Sequence, residues 1–294
     1  MIIPTCQRPD LLARCLNLLP RDANVIVTDD SRDDATQQMV ARDFPWVRWQ
    51  AGPRRGPAAN RNAGARSATT EWLIFLDDDC LPQPGWLDAY AAAMPGRDVV
   101  EGRTVSPGAI DDPLAEYVEN LEGDCYWSCN LAIRRAVFQD LGEFDEAFTQ
   151  AAGEDMEFAW RIRKRGLAVV FAPAAEVHHP VRRASWKQVW RRIWMLRWRR
   201  LFVLKVGGSP KLGAPAVWII THLVAGECLD LLRTTYQAYA RPDARRPMTK
   251  RFSVATRWVT LPLMLPWLIW WDFRFRRLLK ARAKKTASPA SSPA

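Results

Sequence analysis

Long apolar runs, paired cysteines and histidines are what this chain has least of. The apolar stretch Trp258 to Trp271 has 14 residues without a charge and is interrupted by Pro262 and Pro266. A membrane-spanning helix needs ~20 apolar residues, so an interfacial or re-entrant segment is expected there rather than a span. Residues 214–226 are similarly short and run into Glu227. The six cysteines contain no C-x-x-C pair, and Cys125 and Cys129 have no second pair to complete a zinc site. Neither a zinc module nor a disulfide framework is expected; the thiols read as reduced, in a cytosolic setting. No signal peptide is expected, since Met1-Ile2-Ile3-Pro4 reads as entering a short first strand at once, and a true start a few residues upstream is expected. There is no internal repeat.

Charge is present in abundance but divided. Residues 1–181 carry 18 Lys/Arg against 28 Asp/Glu, while residues 182–294 carry 24 against 4 and hold nine of the fifteen tryptophans. An acidic half joined to a basic, Trp-rich half points to a polyanionic surface as partner. Anionic lipid and nucleic acid are the two candidates.

Short apolar runs alternate with helical patterns over residues 1–181, the signature of βαβ units and a mainly parallel sheet. Strands are predicted at Ile2-Ile3, Val25 to Val27, Val47 to Trp49, Trp72 to Leu76 and Leu167 to Phe171. Helices are predicted over Asp10 to Leu19, from Asp33 or Asp34 through Val40, over Asn62 to Ala68, and over Glu154 to Arg165. Asp124 to Ile133 reads as a strand entering a helix. Residues 182–285 read as a basic helical region, and residues 286–294, the end of a Lys/Ala/Ser/Pro stretch from Lys280, as a disordered tail.

The strand Trp72-Leu73-Ile74-Phe75-Leu76 ends in Asp77-Asp78-Asp79. Three adjacent like charges repel and are favourable only beside a cation or strong donors. Open α/β sheets bind their ligands at the carboxyl ends of their strands, so a hard-metal site is expected at that turn. Other polar clusters come in sequence order: Pro4-Thr5 with Arg8, Asp29-Asp30-Ser31, Arg54-Arg55-Gly56 with Arg61-Asn62, Ser128-Cys129-Asn130, Phe144-Asp145-Glu146 before Gly153-Glu154-Asp155, and His178-His179. Over residues 1–181 this series resembles glycosyltransferase family 2, the inverting, bacterial-type enzymes of the GT-A fold.

That resemblance implies a nucleoside diphosphate sugar donor and a role for each cluster. Asp29 would accept the donor base's ring N–H, with Asp30 beside it; Pro4, Thr5, Arg8, Arg55, Arg61 and Asp78 would line the donor site. Asp77 and Asp79 match a D-x-D motif, Asp79 on Mg²⁺ or Mn²⁺ and Asp77 on the ribose or the metal; carboxylates suit such ions. His178, or else His179, would add a ligand. Asp155 would be the general base that takes the acceptor hydroxyl's proton, with Glu154 as the alternative. Ser128, Cys129, Asn130 and Glu154 would lie on the acceptor side. Arg163-Lys164-Arg165-Gly166 replaces the Q-x-x-R-W motif that some processive relatives carry after the base, which points to single-sugar addition.

In the basic half, Trp186, Val189, Trp190, Ile193 and Trp194 fall on one helical face with Arg191, Arg192, Arg197, Arg199 and Arg200 around the remainder. Tryptophan flanked by arginine suits a helix in the lipid headgroup region. The sequence therefore predicts a GT-A α/β catalytic domain (residues 1–181) with a helical, membrane-associating region. It would act on the cytoplasmic side of the inner membrane, peripheral or re-entrant, moving a sugar to a lipid-linked or cell-surface glycan acceptor in envelope polysaccharide synthesis. Two other readings stand open. A nucleic-acid-binding protein would use the basic aromatic half, although Trp258 to Trp271 is too continuously apolar for a base-stacking platform, and no nucleic acid is expected. A sugar nucleotidyltransferase would open with a Gly-rich phosphate loop, which Pro4-Thr5-Cys6-Gln7-Arg8 does not provide.

Overall fold

The structure is a computed structural model that describes residues 1–108, 111–112, 114–207, 214–240 and 247–287; for residues 186–194, 196, 247–250, 252–253 and 282–287 the backbone alone is described. The chain divides into two compact units, Met1–Ala109 with Glu116–Arg182, and Ile110–Ala115 with Arg183–Ala294.

In the first unit the elements are β1 (Ile2–Thr5), α1 (Pro9–Leu16), β2 (Ile26–Asp29), α2 (Ala35–Asp43), β3 (Arg48–Ala51), α3 (Pro57–Ser67), β4 (Trp72–Leu76), β5 (Leu81–Pro82), α4 (Trp86–Ala93) and β6 (Val99–Val105). The two-residue strand β7 (Ala115–Glu116) precedes β8 (Asn130–Arg134), α5 (Arg135–Asp140), α6 (Glu154–Arg165), β9 (Val169–His178) and β10 (Arg182–Arg183). Eight strands form one sheet in the order β3-β2-β1-β4-β8-β6-β9-β5, while β7 and β10 pair separately.

The sheet is mainly parallel. β1 runs parallel to β2 and β4, β2 to β3, and β6 to β9, whereas β8 is antiparallel to both its neighbours. This topology builds the site. Thr5 is in register with Asp29, and Leu76 with Asn130. The carboxyl ends of β1, β2, β4 and β9 therefore share one sheet edge with the start of β8.

Successive side chains of a strand point to opposite faces, and the core obeys that alternation. Ile3, Val27, Ile74, Leu76, Val100 and Ala132 pack on one face against Leu12, Leu16 and Val40 of α1 and α2 and Tyr90 of α4. Ile2, Ile26, Leu73, Phe75, Val99, Leu131 and Ile133 pack on the other, against α3, α5 and α6. The second face centres on Phe75, Phe138, Phe144 and Phe158, with Phe144 and Phe158 ring centroids 4.6 Å apart. A fully buried side chain of this size contributes roughly 1.5–3 kcal/mol.

Several elements depart from the sequence reading: α4 and β6 were not predicted, and the strand expected to begin at Asp124 starts only at Asn130, after a loop, with the helix following from Arg135. β6 carries a charged residue, Glu101, in its middle and showed no strand pattern. β9 runs ten residues where a short strand ending at Phe171 was predicted.

The second unit is helical: α7 (Trp186–Lys205), α8 (Ala216–Ala240) and α9 (Pro247–Ala287). No described helix is long and apolar enough to cross a membrane. The expected break at Pro262 and Pro266 does not occur; both lie inside the continuous 41-residue α9, with exposed side chains. Residues 280–287 belong to that helix, and the predicted tail beyond them lies outside the described residues. The predicted Trp186–Trp194 face also lies outside the described side chains.

Candidate active site

The turn after β4 gathers three carboxylates in little space, and each is answered by cations. Asp77 Oδ1 lies 2.7 Å from Arg61 Nη2. Burial alone would raise the Asp77 carboxyl, but the Arg61 guanidinium outweighs it and holds the group below its usual value. Asp78, fully buried, accepts a 2.7 Å hydrogen bond from Thr5 Oγ1 and lies 2.7 Å from Arg8 Nη2. There burial wins, and the carboxyl is pushed up to about 6 against the pull of Arg8. Asp79 lies 3.3 Å from Arg8 Nη1 and in contact with Arg182.

Asp79 Oδ1 is buried with no hydrogen-bond partner among the described residues. His179 Nε2 stands 3.7 Å from it. Together with Cys80, these residues offer ligand atoms within 4.8 Å of one another. A carboxylate oxygen left bare beside an imidazole nitrogen fits a divalent cation. The strand phase makes His179, not the preferred His178, the residue that faces Asp79. His178 Nε2 instead meets Glu176, 2.9 Å away.

The carboxylate pair at the start of α6 lies beside this turn. Gly153, with φ of 95°, ends the preceding loop in the left-handed region that favours glycine, and Glu154 and Asp155 open the helix. Buried Arg61 joins the two groups: its Nη2 holds Asp77 and its Nη1 lies 3.3 Å from Glu154 Oε1. Burial raises Glu154, and the neighbouring charge of Asp155 raises it further. Asp155 is also raised by burial, against the opposing pull of Arg61. Glu154 Oε2 and Asp155 Oδ1 have no hydrogen-bond partner among the described residues.

Other predicted residues take different places. Arg61 pairs with Asp77 and Glu154 inside the protein and is not turned out toward a phosphate site. Arg55, largely exposed, pairs with Glu146. Asp29 is turned inward, its Oδ1 accepting the Ser31 N–H at 2.8 Å, while half-buried Asp30 accepts the Arg54 N–H at 2.8 Å. Pro4 is a buried β1 residue in register with Thr28. Cys129 is buried near Thr104. Asn130 has no capacity left for an acceptor: its Oδ1 accepts from Trp86 Nε1 and Tyr90 Oη, and its Nδ2 donates to the Arg103 and Ala175 carbonyls.

Three supporting residues escaped the sequence reading. Arg182 reaches Asp79 from just beyond His179, and its place at the start of the basic half hid it. Asn60 Nδ2 donates to the carbonyls of Thr5 and Thr28, tying α3 to the ends of β1 and β2. Glu101 accepts the backbone N–H groups of Asp124, Cys125 and Tyr126 and so fixes the loop leading to Ser128.

The description "Glycosyl transferase family 2" matches residues 1–112, and "Glycosyl transferase family 21" matches residues 115–274. The pre-mycofactocin glycosyltransferase of Mycobacterium tuberculosis (strain CDC 1551 / Oshkosh) is 31% identical over 144 residues, covering 42% of this chain and 30% of that protein. The validoxylamine A glucosyltransferase of Streptomyces hygroscopicus subsp. limoneus is 27% identical over 217 residues, covering 57% and 48%. The chain thus spans a third to a half of the length of these relatives. Residues 1–349 of S. aureus TarS share the fold with a TM-score of 0.52 at 15% identity, covering 98% of this chain and 91% of that one. The family 21 match spans more than half of the chain, which belongs to that glycosyltransferase family, while residues 1–112 are similar to family 2.

Proposed function

We propose that this chain transfers a hexosyl group, with inversion, from a nucleoside diphosphate sugar to a lipid-linked or cell-surface glycan acceptor. One observation carries the reading: Arg61 joins the carboxylate turn after β4 to the Glu154–Asp155 pair, setting a donor-type site beside a base-type site. The TarS fragment was solved with UDP-GlcNAc, and the validoxylamine relative is a glucosyltransferase by name, which supports a nucleotide-sugar donor.

Asp155 accepts the proton of the acceptor hydroxyl as that oxygen attacks the anomeric carbon. The bond from the anomeric carbon to the diphosphate breaks on the opposite face, and the nucleoside diphosphate leaves with the electron pair. The raised Asp155 carboxyl is a better proton acceptor than an ordinary one, provided it is ionised at working pH. Thr5 and Arg8 hold Asp78 in place. Asp79 and His179 would hold Mn²⁺ or Mg²⁺, which when bound neutralises charge on the leaving diphosphate.

The basic helical unit supports action at an anionic membrane surface on the cytoplasmic side, where a lipid-linked acceptor would be found. The test is a thermal-shift series on the detergent-solubilised full chain with nucleoside diphosphates and their sugars, with and without Mn²⁺. A Mn²⁺-dependent rise in melting temperature with one base is expected. No shift with any of them, in folded protein, would remove the donor site.

A further inference from the structure

The helical unit keeps its described carboxylates inside and leaves much apolar surface outside. The carboxylates of α8 and α9, Glu227, Asp230 and Asp272, are paired between helices. Arg199 of α7 lies 2.8 Å from Glu227 and 2.9 Å from Asp230, and Arg257 of α9 lies 2.9 Å from Asp230. Asp272 is fully buried between Arg200 and Arg276.

Leu223, Leu231, Leu261 and Leu268 form a buried seam between α8 and α9, but further large apolar side chains lie outside it. Trp218, Leu229, Leu232 and Tyr236 are exposed along α8, Leu229 at 66% and Tyr236 at 69%. On α9, Trp258, Leu263, Trp267 and Trp270 are exposed, Leu263 at 64%. No described side chain exposed on α9 between Ala255 and Trp270 is charged. The two strips adjoin: Trp258 Nε1 donates to Thr235 Oγ1 at 3.0 Å, and Arg251 of α9 sits 5.0 Å over the Tyr239 ring of α8. A helix rises about 1.5 Å per residue, so the α8 strip from Trp218 to Tyr236 runs about 27 Å. Monomeric soluble proteins rarely expose an apolar area on this scale.

The rim identifies the occupant. Exposed Arg251 stands at one end of the α9 strip, and exposed Arg274, Arg277 and Lys280 at the other, with Arg274 5.3 Å over the Trp270 ring. Neither strip offers an exposed carboxylate. A second copy docked on this face would oppose cations with cations, whereas an anionic leaflet answers both the rim and the apolar centre. No described helix is long and apolar enough to span, which suits a pair lying along the leaflet.

We infer that the outward face of α8 and α9 seats this protein in the headgroup–acyl boundary of an anionic bilayer. The inference rests on the membrane part of the proposed function and moves the contact from the Trp186–Trp194 helix to these two. The test is flotation of the full chain with vesicles of phosphatidylcholine, with and without phosphatidylglycerol, for the unsubstituted protein and for Leu229→Glu/Leu263→Glu. Circular dichroism and the donor thermal shift report folding.

The double variant is expected to stay folded and to partition about tenfold or more weakly into phosphatidylglycerol vesicles. Brominated lipid is expected to quench tryptophan emission of the unsubstituted chain, a readout that needs no variant. A folded variant that floats as the unsubstituted chain does would overturn the face and leave the membrane reading standing. An unsubstituted chain that neither floats nor is quenched would remove both. A dimer that the variant converts to a monomer would give the face to a second copy.

Discussion

Arg61 Nη2 lies 2.7 Å from Asp77 Oδ1, and that ion pair is buried on the Arg61 side. The same guanidinium reaches Glu154 and sits 5.9 Å over the Phe144 ring. Removing one partner of a buried ion pair leaves an uncompensated charge and costs about 3–5 kcal/mol. Arg61→Met is therefore expected to lose stability of that order in urea titration, and Arg61→Lys to lose less. If Arg61→Met unfolds at the unsubstituted midpoint, Arg61 is not what holds the two carboxylate groups together.

The Glu154–Asp155 pair predicts a pH dependence. Both carboxyls are raised, so the base loses its proton at a pH above the ordinary carboxylate range. Transfer should rise with pH through that raised value. Burial and the Asp155 charge hold Glu154 up to about 8, so it stays protonated while Asp155 ionises, and Glu154→Gln should leave the rising limb of kcat/KM in place. Asp155→Asn should keep the fold and the donor thermal shift while lowering kcat about 10²–10⁴-fold. A limb moved to lower pH in Glu154→Gln would show that Glu154 is the one that ionises first.

How much of this was legible in sequence depended on whether a local signal existed. α6 was predicted with its observed bounds, because Gly153 and Gly166 bracket it, acids fill its first turn and bases its last. The turn after β4 was legible because five apolar residues run straight into three carboxylates. The histidines were not, since neighbouring strand residues face opposite ways and a one-residue phase decides which meets Asp79. Asn130 looked like a site residue by its neighbours, yet its hydrogen bonds go to Trp86, Tyr90 and two carbonyls distant in sequence. Glu101 hid β6 for a related reason: the loop that satisfies its charge begins some twenty residues later.

That clamp makes its own prediction. Glu101 Oε2 accepts from the Cys125 and Tyr126 N–H groups at 3.0 and 2.7 Å, and Oε1 from the Asp124 N–H at 3.0 Å. A glutamine would set an amino group against one of those donor sets. Hydrogen bonds to a charged group are worth about 1.5–3 kcal/mol each, so Glu101→Gln should cost about 3 kcal/mol in denaturant unfolding. Amide exchange should speed up over residues 124–126. Unchanged exchange there would show that the loop holds without the carboxylate.

The histidine pair offers the sharpest discrimination, because two adjacent residues of one kind are expected to behave differently. His179 Nε2 faces the bare Asp79 oxygen, and burial pushes its imidazole down, which keeps the ring neutral and able to donate a lone pair to a metal. His178 is engaged with Glu176. His179→Ala should weaken Mn²⁺ binding by at least about tenfold, since even partners that only orient a ligand are worth 10–100-fold. His178→Ala should leave it nearly unchanged. Electron paramagnetic resonance of free Mn²⁺ reads this directly, without turnover or acceptor. Equal losses in both variants would mean that the end of β9 takes another register when the cation binds, and loss in His178→Ala alone would reverse the assignment.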